Sequence, residues 1–136
     1  MRLWIVAALL LAAAVGQAEE PFDSTFERLA KVDQFAFGPT GYAAVISQGE
    51  KDYQVILSRP SAIADFERLF SVGNLQAKCY ALVGLRTLNR KRFYELSHSL
   101  RDSKEEVVTQ KGCIIFHKPL TDVLKRIEAG EYSMGK

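Results

Sequence analysis

Apolar side chains recur at helical spacing through most of the chain. In the segment AIADFERLF, Ile63, Phe66 and Phe70 stand at i, i+3 and i+7, which predicts an amphipathic helix capped by Ser61. We expect Gly73 to end this helix in the left-handed conformation that glycine adopts without steric cost.

The residues from Asn74 to Leu88 are apolar on almost every side. Asn74 is a favourable N-cap, and a helix that is apolar all round lies inside a helical assembly. The pattern therefore predicts that Leu75, Leu82 and Leu85 are buried in a central helix. Three small residues on this helix would let neighbouring backbones approach closely: Ala77, Ala81 and Gly84.

Two more helices are predicted before the central one. The first begins at Asp23 or Ser24 and runs to about Asp33. The second follows Ser47, because a serine with Glu50 three residues later has the form of a capping box. Its segment YQVIL also suits a strand, so the sequence leaves that alternative open.

Two helices are predicted after the central one. The earlier helix is capped by Asn89. The last helix begins at Pro119 or Thr121, ends at Gly130 and precedes a tail expected to fray. The residues expected to face inward from these two helices are Phe93, Leu96, Leu100, Leu120, Val123, Leu124 and Ile127.

The apolar spacing changes to that of strands in the segment before the last helix. EVVTQ (106–110) and CIIFH (113–117) flank Lys111-Gly112, which predicts a β-hairpin. The expected fold is therefore mainly α, a compact helical array with one β-hairpin near the C-terminus.

Further towards the N-terminus, Gly38-Pro39-Thr40-Gly41 breaks any regular element, and Phe35, Phe37 and Tyr42 predict an ordered, partly buried loop there.

The first 18 residues have the pattern of a signal peptide. Arg2 precedes the apolar run LWIVAALLLAAAV, and Gly16-Gln17-Ala18 places small residues at a cleavage site. The expected organisation is a signal peptide over 1–18 and a single helical domain over 19–136, located in the periplasm or outside the cell. A retained N-terminal anchor is the alternative reading of the same run.

The charge balance argues against nucleic acid and anionic lipid as partners. The chain has 18 basic and 16 acidic residues, and cleavage after Ala18 would remove only Arg2, leaving a formal net charge of +1. The mature protein is therefore expected to bind neither nucleic acid nor membrane.

Two cysteines, Cys79 and Cys113, remain after the predicted cleavage site. In an oxidising compartment an even number of cysteines favours pairing, so we expect a disulfide between them. The alternative is two independent thiols that pack as small apolar side chains.

The central segment, about residues 60–101, resembles HEAT-type helical repeats, in which short amphipathic helices stack in antiparallel pairs. The resemblance is carried by Phe66, Leu69, the small residues from Ala77 to Gly84, Phe93 and Leu96. The stretches AKCYALVGLRTLN and TQKGCIIFHKPL also resemble small signal-peptide-bearing bacterial proteins of uncharacterised function, and this likeness implies no activity.

The candidate chemistry is sparse. His98 and His117 are the two histidines, and a small hydrolase could use either of them with a serine or carboxylate brought close by the fold. Together with Cys79 and Cys113 they supply the residue types of a zinc site, but not the tight spacing that such sites have. We therefore predict no metal, no cofactor and no catalytic residue.

The remaining candidate site is a basic run, Arg90-Lys91-Arg92, at the start of a predicted helix, where it could meet an acidic partner. The expected function is an exported, non-enzymatic module that binds another protein through its helical surface or serves a structural role. An inhibitor of a cell-envelope enzyme, presenting the loop Phe37–Tyr42, is a further alternative to the small hydrolase. The partner and the oligomeric state are left open by the sequence.

Overall fold

Six helices and two hairpins follow one another in the computed structural model, which describes residues 21–132. They are α1 Phe22–Ala30, β1 Pro39–Thr40, β2 Val45–Ile46, α2 Gln48–Leu57, α3 Ala62–Val72, α4 Leu75–Leu88, α5 Arg90–Ser99, β3 Glu106–Lys111, β4 Ile114–Pro119 and α6 Leu120–Glu128. The mainly helical fold with a hairpin near the C-terminus is confirmed. The predicted signal peptide lies outside the described residues.

The central position of α4 is confirmed. Asn74 caps it, because its Oδ1 accepts a hydrogen bond of 2.9 Å from the Ala77 N–H. Leu82 and Leu85 are fully buried, whereas Leu75, at the first turn, is half-buried. A Cβ on Gly84 would lie 2.5 Å or less from three ring carbons of the buried Phe66, so glycine at this position makes room for a side chain of α3. The predicted close approach of neighbouring backbones stays a prediction.

Helix α3 corrects three sequence predictions. Ser61 precedes the helix, but its hydroxyl makes no capping hydrogen bond and donates to Asp65 Oδ2 at 2.7 Å. Gly73 has φ −77° and ψ 161°, so it ends the helix in an extended conformation and not in the left-handed one. Glycine fits there because a Cβ would approach Ala77 Cβ and Leu69 O to 2.6 Å. The predicted inward stripe is also only partly correct, since Ile63 is 40 % exposed while Phe66 is buried.

The N-terminal half confirms one cap and corrects another. Helix α1 begins at Phe22 after Pro21, earlier than Asp23 or Ser24 could cap it, and it ends at Ala30. Ser47 caps α2 by accepting from the Glu50 N–H at 3.2 Å, which decides for a helix over the strand alternative. The Glu50 carboxylate accepts from the Gly38 N–H at 3.0 Å and thereby ties α2 to the loop that precedes it.

The segment predicted as a partly buried loop forms the small hairpin β1–β2. Phe35 is buried and Phe37 is half-buried, as predicted, but Tyr42 is fully exposed at the hairpin tip. The buried Tyr80 hydroxyl of α4 donates to Ala36 O at 2.8 Å and accepts from Ala36 N at 3.1 Å, which fixes this segment to the core.

The C-terminal hairpin and α6 follow the sequence closely. The β3–β4 turn is Gly112-Cys113, one residue later than predicted, because Lys111 pairs with Ile114. Leu120, Val123 and Ile127 of α6 are buried as expected. The predicted frayed tail falls partly on residues 133–136, which are not described; Tyr132 packs its ring 4.8 Å from that of Phe35.

Candidate functional site

The two hairpins are joined by backbone hydrogen bonds along one edge of β3. The Phe35 N–H donates to Val108 O at 2.8 Å, and the Gly41 N–H donates to Gly112 O at 2.8 Å. The segment that contains β1 therefore covers this edge of β3, while β4 covers the other edge. Within residues 21–132, no strand pairs with the outer edge of β4.

The alternation of the β3–β4 ladder shows which groups of β4 point outward. The carbonyls of Val108 and Gly112 accept hydrogen bonds on the side away from β4. Because backbone groups alternate in direction along a strand, Val107, Thr109 and Lys111 are the residues that bond to β4. Their partners are Lys118, Phe116 and Ile114. Consequently Ile115 and His117 direct their backbone N–H and C=O groups away from the hairpin.

The exposed apolar side chains are concentrated on the two hairpins. Of the eleven large apolar residues found exposed in the described part of the chain, six belong to these hairpins. They are Tyr42, Val45 (56 %), Ile46 (42 %), Ile114 (59 %), Ile115 (52 %) and Phe116 (37 %), and together they are called the hairpin surface below. Soluble proteins protect open edge strands with charges, prolines or covering segments, and the first half of β4 has none of these.

The hairpin surface is poor in charge, and the charges on its core-facing side are positive. Residues 34–46 contain no charged side chain. In the β3–β4 hairpin, Lys111 and Lys118 lie on the core-facing side, and Glu106, the first residue of β3, lies on the opposite side. The Lys118 Nζ lies 5.3 Å from the centre of the Phe116 ring, a cation–π contact on the core-facing side of β4. This surface is suited to an apolar ligand that carries negative charge at its ends.

The segment that leads into the β1–β2 hairpin packs on the buried helix α4. Phe35 and Phe37 pack edge-on or tilted against Tyr80 at ring distances of 5.0 and 5.3 Å. Burial raises the pKa of Tyr80 from 10.0 to about 12, so the hydroxyl that donates to Ala36 O stays protonated even in mildly alkaline solution. A surface held in this way loses little conformational freedom when it binds a partner.

The histidine that the sequence singled out on α5 lines an open cleft between α5 and α6. The cleft has a volume of about 910 Å³, and its lining includes Phe93, His98, Arg101, Leu124, Lys125 and Glu128. Arg101 Nη1 lies 3.5 Å from His98 Nδ1. The two neighbouring serines bond to backbone carbonyls, Ser97 to Tyr94 O and Ser99 to Leu96 O, so neither is paired with the imidazole.

The other chemistry-bearing residues are not brought together. His117 is exposed on β4 opposite Val108. Cys79 is a buried free thiol, and Cys113 is an exposed one at the hairpin turn. The disulfide between them stays a prediction, which a comparison of masses with and without reductant would test. Among residues 21–132, no three His, Cys, Asp or Glu side chains lie where they could hold a metal ion.

The basic run divides into a paired and an exposed part. Arg92 donates to Glu67 at 2.9 Å and to Glu95 at 3.0 Å, and the hydrogen bond to Glu95 is the main reason why the pKa of Arg92 is raised. Arg90 and Lys91 are exposed and could still meet an acidic partner. The role of this run in binding stays a prediction.

Comparison of the chain with protein-family models, curated proteins and solved structures gives no match. The resemblance to HEAT-type repeats and to small bacterial proteins therefore stays a prediction. None of the helices described is both long and apolar enough to cross a bilayer.

The open edge of β4 is the feature that sequence reasoning did not find. The run Ile114-Ile115-Phe116 was a usable indication, because three consecutive apolar residues place apolar groups on both faces of a strand. Such a run is typical of a strand buried on both faces, so the sequence does not reveal that the same residues are exposed.

Proposed function

We propose that this protein is an exported, non-enzymatic module that binds another protein through the hairpin surface. The observation that carries the proposal is the exposure of Ile114, Ile115 and Phe116 on a strand whose outer edge is unpaired among the described residues. Apolar groups exposed together on a rigid element mark protein interaction sites.

The position of Tyr42 supports the same surface. It is fully exposed at the tip of β1–β2, and aromatic residues dominate the binding energy of protein interfaces. The loop that carries it is anchored by the Gly41–Gly112 and Gly38–Glu50 hydrogen bonds. This also agrees with the inhibitor hypothesis, since an inhibitor is a protein-binding module that presents a rigid loop.

Export is part of the proposal and rests on the pattern of residues 1–18. The mass of the protein recovered from outside the cytoplasm tests it directly. We expect a chain that begins at Glu19, and a full-length chain retained in the cytoplasm would contradict export.

Binding is tested by cross-linking in the exported fraction with matched surface variants. We expect the double variant Tyr42→Ser/Ile115→Ser to lose the cross-linked partner. Val72→Ser, which removes an equally exposed apolar residue from α3, should keep it, and so should Arg90→Ser/Lys91→Ser. Loss in the Arg90/Lys91 variant with retention in the hairpin variant would place the interface on α5 and refute the proposed surface.

A further inference from the structure

We infer that the outer edge of β4 takes up an extended segment of the partner as an additional strand, and that this segment is apolar in its middle and acidic at its ends. The inference rests on the proposed function and specifies its binding mode. It combines three observations: unpaired outward backbone groups on β4, exposed apolar side chains on the same strand, and the sign of the charges around them.

The backbone of β4 offers a short, well-defined docking edge. Ile115 and His117 each direct one N–H and one C=O outward, and Pro119, the next outward residue, has no N–H to donate. Main-chain hydrogen bonds provide affinity when a peptide is added to a sheet edge in this way. The edge therefore fits a segment of about five residues, the usual length of a strand.

The side chains of β4 indicate what the added segment must cover. Phe116 lies directly opposite Thr109, and Thr109 and Val107 face the core, so Phe116 is on the core-facing side of the hairpin. It is nevertheless 37 % exposed, and Ile114 on the same side is 59 % exposed. A partner strand with apolar residues on this side would extend the core outward over both side chains.

The charges favour a foreign acidic segment over a second copy of this chain. Pairing β4 with its counterpart would gather Lys111 and Lys118 of both copies on the core-facing side of one small sheet, whereas Glu106, the acidic residue of each β3, would lie on the opposite side. Like charges that face each other in a sheet are destabilising, whereas acidic residues at the ends of a partner segment would meet these lysines.

The test uses a synthetic peptide of alternating valine and threonine with glutamates at both ends. Its binding to the full mature chain is compared between His117→Pro and His117→Ala. Both variants remove the imidazole, but only the proline variant removes the outward N–H. Proline is tolerated where the N–H of an edge strand faces outward, so we expect the proline variant to fold. We expect binding to the proline variant to be about tenfold weaker, which corresponds to one backbone hydrogen bond.

The controls separate this inference from the proposed function. A lysine-ended peptide of the same core should bind more weakly to the wild-type chain than the glutamate-ended one. Equal affinity of the proline and alanine variants would overturn strand addition. If Tyr42→Ser/Ile115→Ser still lost the cross-linked partner, the proposed function would survive that result. Self-association of the wild-type chain that His117→Pro abolishes would overturn the acidic partner segment in favour of a second copy.

Discussion

At the scale of single residues, Thr109 has a buried hydrogen-bonding group that is left without a partner within residues 21–132. Its side-chain oxygen is buried in β3 and has no hydrogen-bond partner among the described residues. A buried hydroxyl without a partner loses its hydration without compensation, which destabilises the folded state. The residue lies opposite Phe116, and its backbone stays in the ladder whatever its side chain.

We expect Thr109→Val to raise the free energy of unfolding by about 1 kcal/mol, because valine keeps the shape of the side chain and removes the unsatisfied hydroxyl. Thr40→Val is the matched control. The Thr40 hydroxyl donates to Val45 O at 3.1 Å, so Thr40→Val should lower the free energy of unfolding by about 1 kcal/mol. Urea unfolding measures both changes, and destabilisation by Thr109→Val would contradict the description of the site.

Residue-scale signals also explain which predictions succeeded. Ser47, Asn74 and Asn89 were recognised as caps because a side chain that accepts from an N–H three residues later is a local feature of the sequence. Gly73 was predicted to be left-handed and is extended, because the chain continues directly into α4, whose packing against α3 is not visible in the local sequence.

At the scale of elements, the attachment of the 35–37 segment to α4 positions the hairpins. Tyr80 satisfies both the N–H and the C=O of Ala36, and all of these groups are buried. No local pattern indicates this contact, since the two residues are 44 positions apart. The sequence therefore predicted an ordered segment here without predicting what holds it.

Replacing Tyr80 by phenylalanine should lower the free energy of unfolding by about 2 kcal/mol, because the buried Ala36 N–H loses its partner and the Ala36 C=O keeps only the 3.4 Å hydrogen bond from Ser47 Oγ. Tyr94→Phe, at a residue that is 48 % exposed, should change stability by less than about 0.5 kcal/mol. Thermal or urea unfolding compares the two. Equal stabilities would show that Tyr80 does not anchor the hairpins.

The outward edge of β4 shows why the functional surface was harder to predict than the fold. The Glu106–Pro119 segment was predicted as a hairpin from its apolar period and its glycine turn. Whether β4 is covered depends on the positions of every other element. In the described chain, the segment that contains β1 pairs with the edge of β3 that faces away from β4, so β4 is an edge strand with one unpaired side.

At the scale of the whole molecule, three buried groups among residues 21–132 have protonated forms that are stabilised by burial. The pKa values of Tyr53 and Tyr80 are raised from 10.0 to about 12, and that of Cys79 is raised from 9.0 to about 12. The unfolded chain therefore loses these protons at lower pH than the folded chain does. The stability that these three groups contribute is therefore complete below pH 9 and is lost as the pH rises from 9 towards 12.

For the protein with reduced cysteines, we expect the free energy of unfolding to fall by about 1 kcal/mol per buried tyrosine between pH 8 and 11, with a further loss from Cys79. Urea unfolding at a series of pH values measures this decline, and Cys79→Ala should reduce it. A stability that is constant or rises over this range would contradict the described core.

The central claim is that the outer edge of β4 is open in the free protein and is closed by a partner strand. Amide hydrogen exchange, resolved residue by residue, tests it most directly. The account predicts fast exchange at Ile115 and His117 and slow exchange at Phe116 and Lys118 in the free chain, with all four amides slow once the glutamate-ended peptide is bound. Slow exchange at Ile115 and His117 in the free monomer, or fast exchange there in the complex, would contradict it.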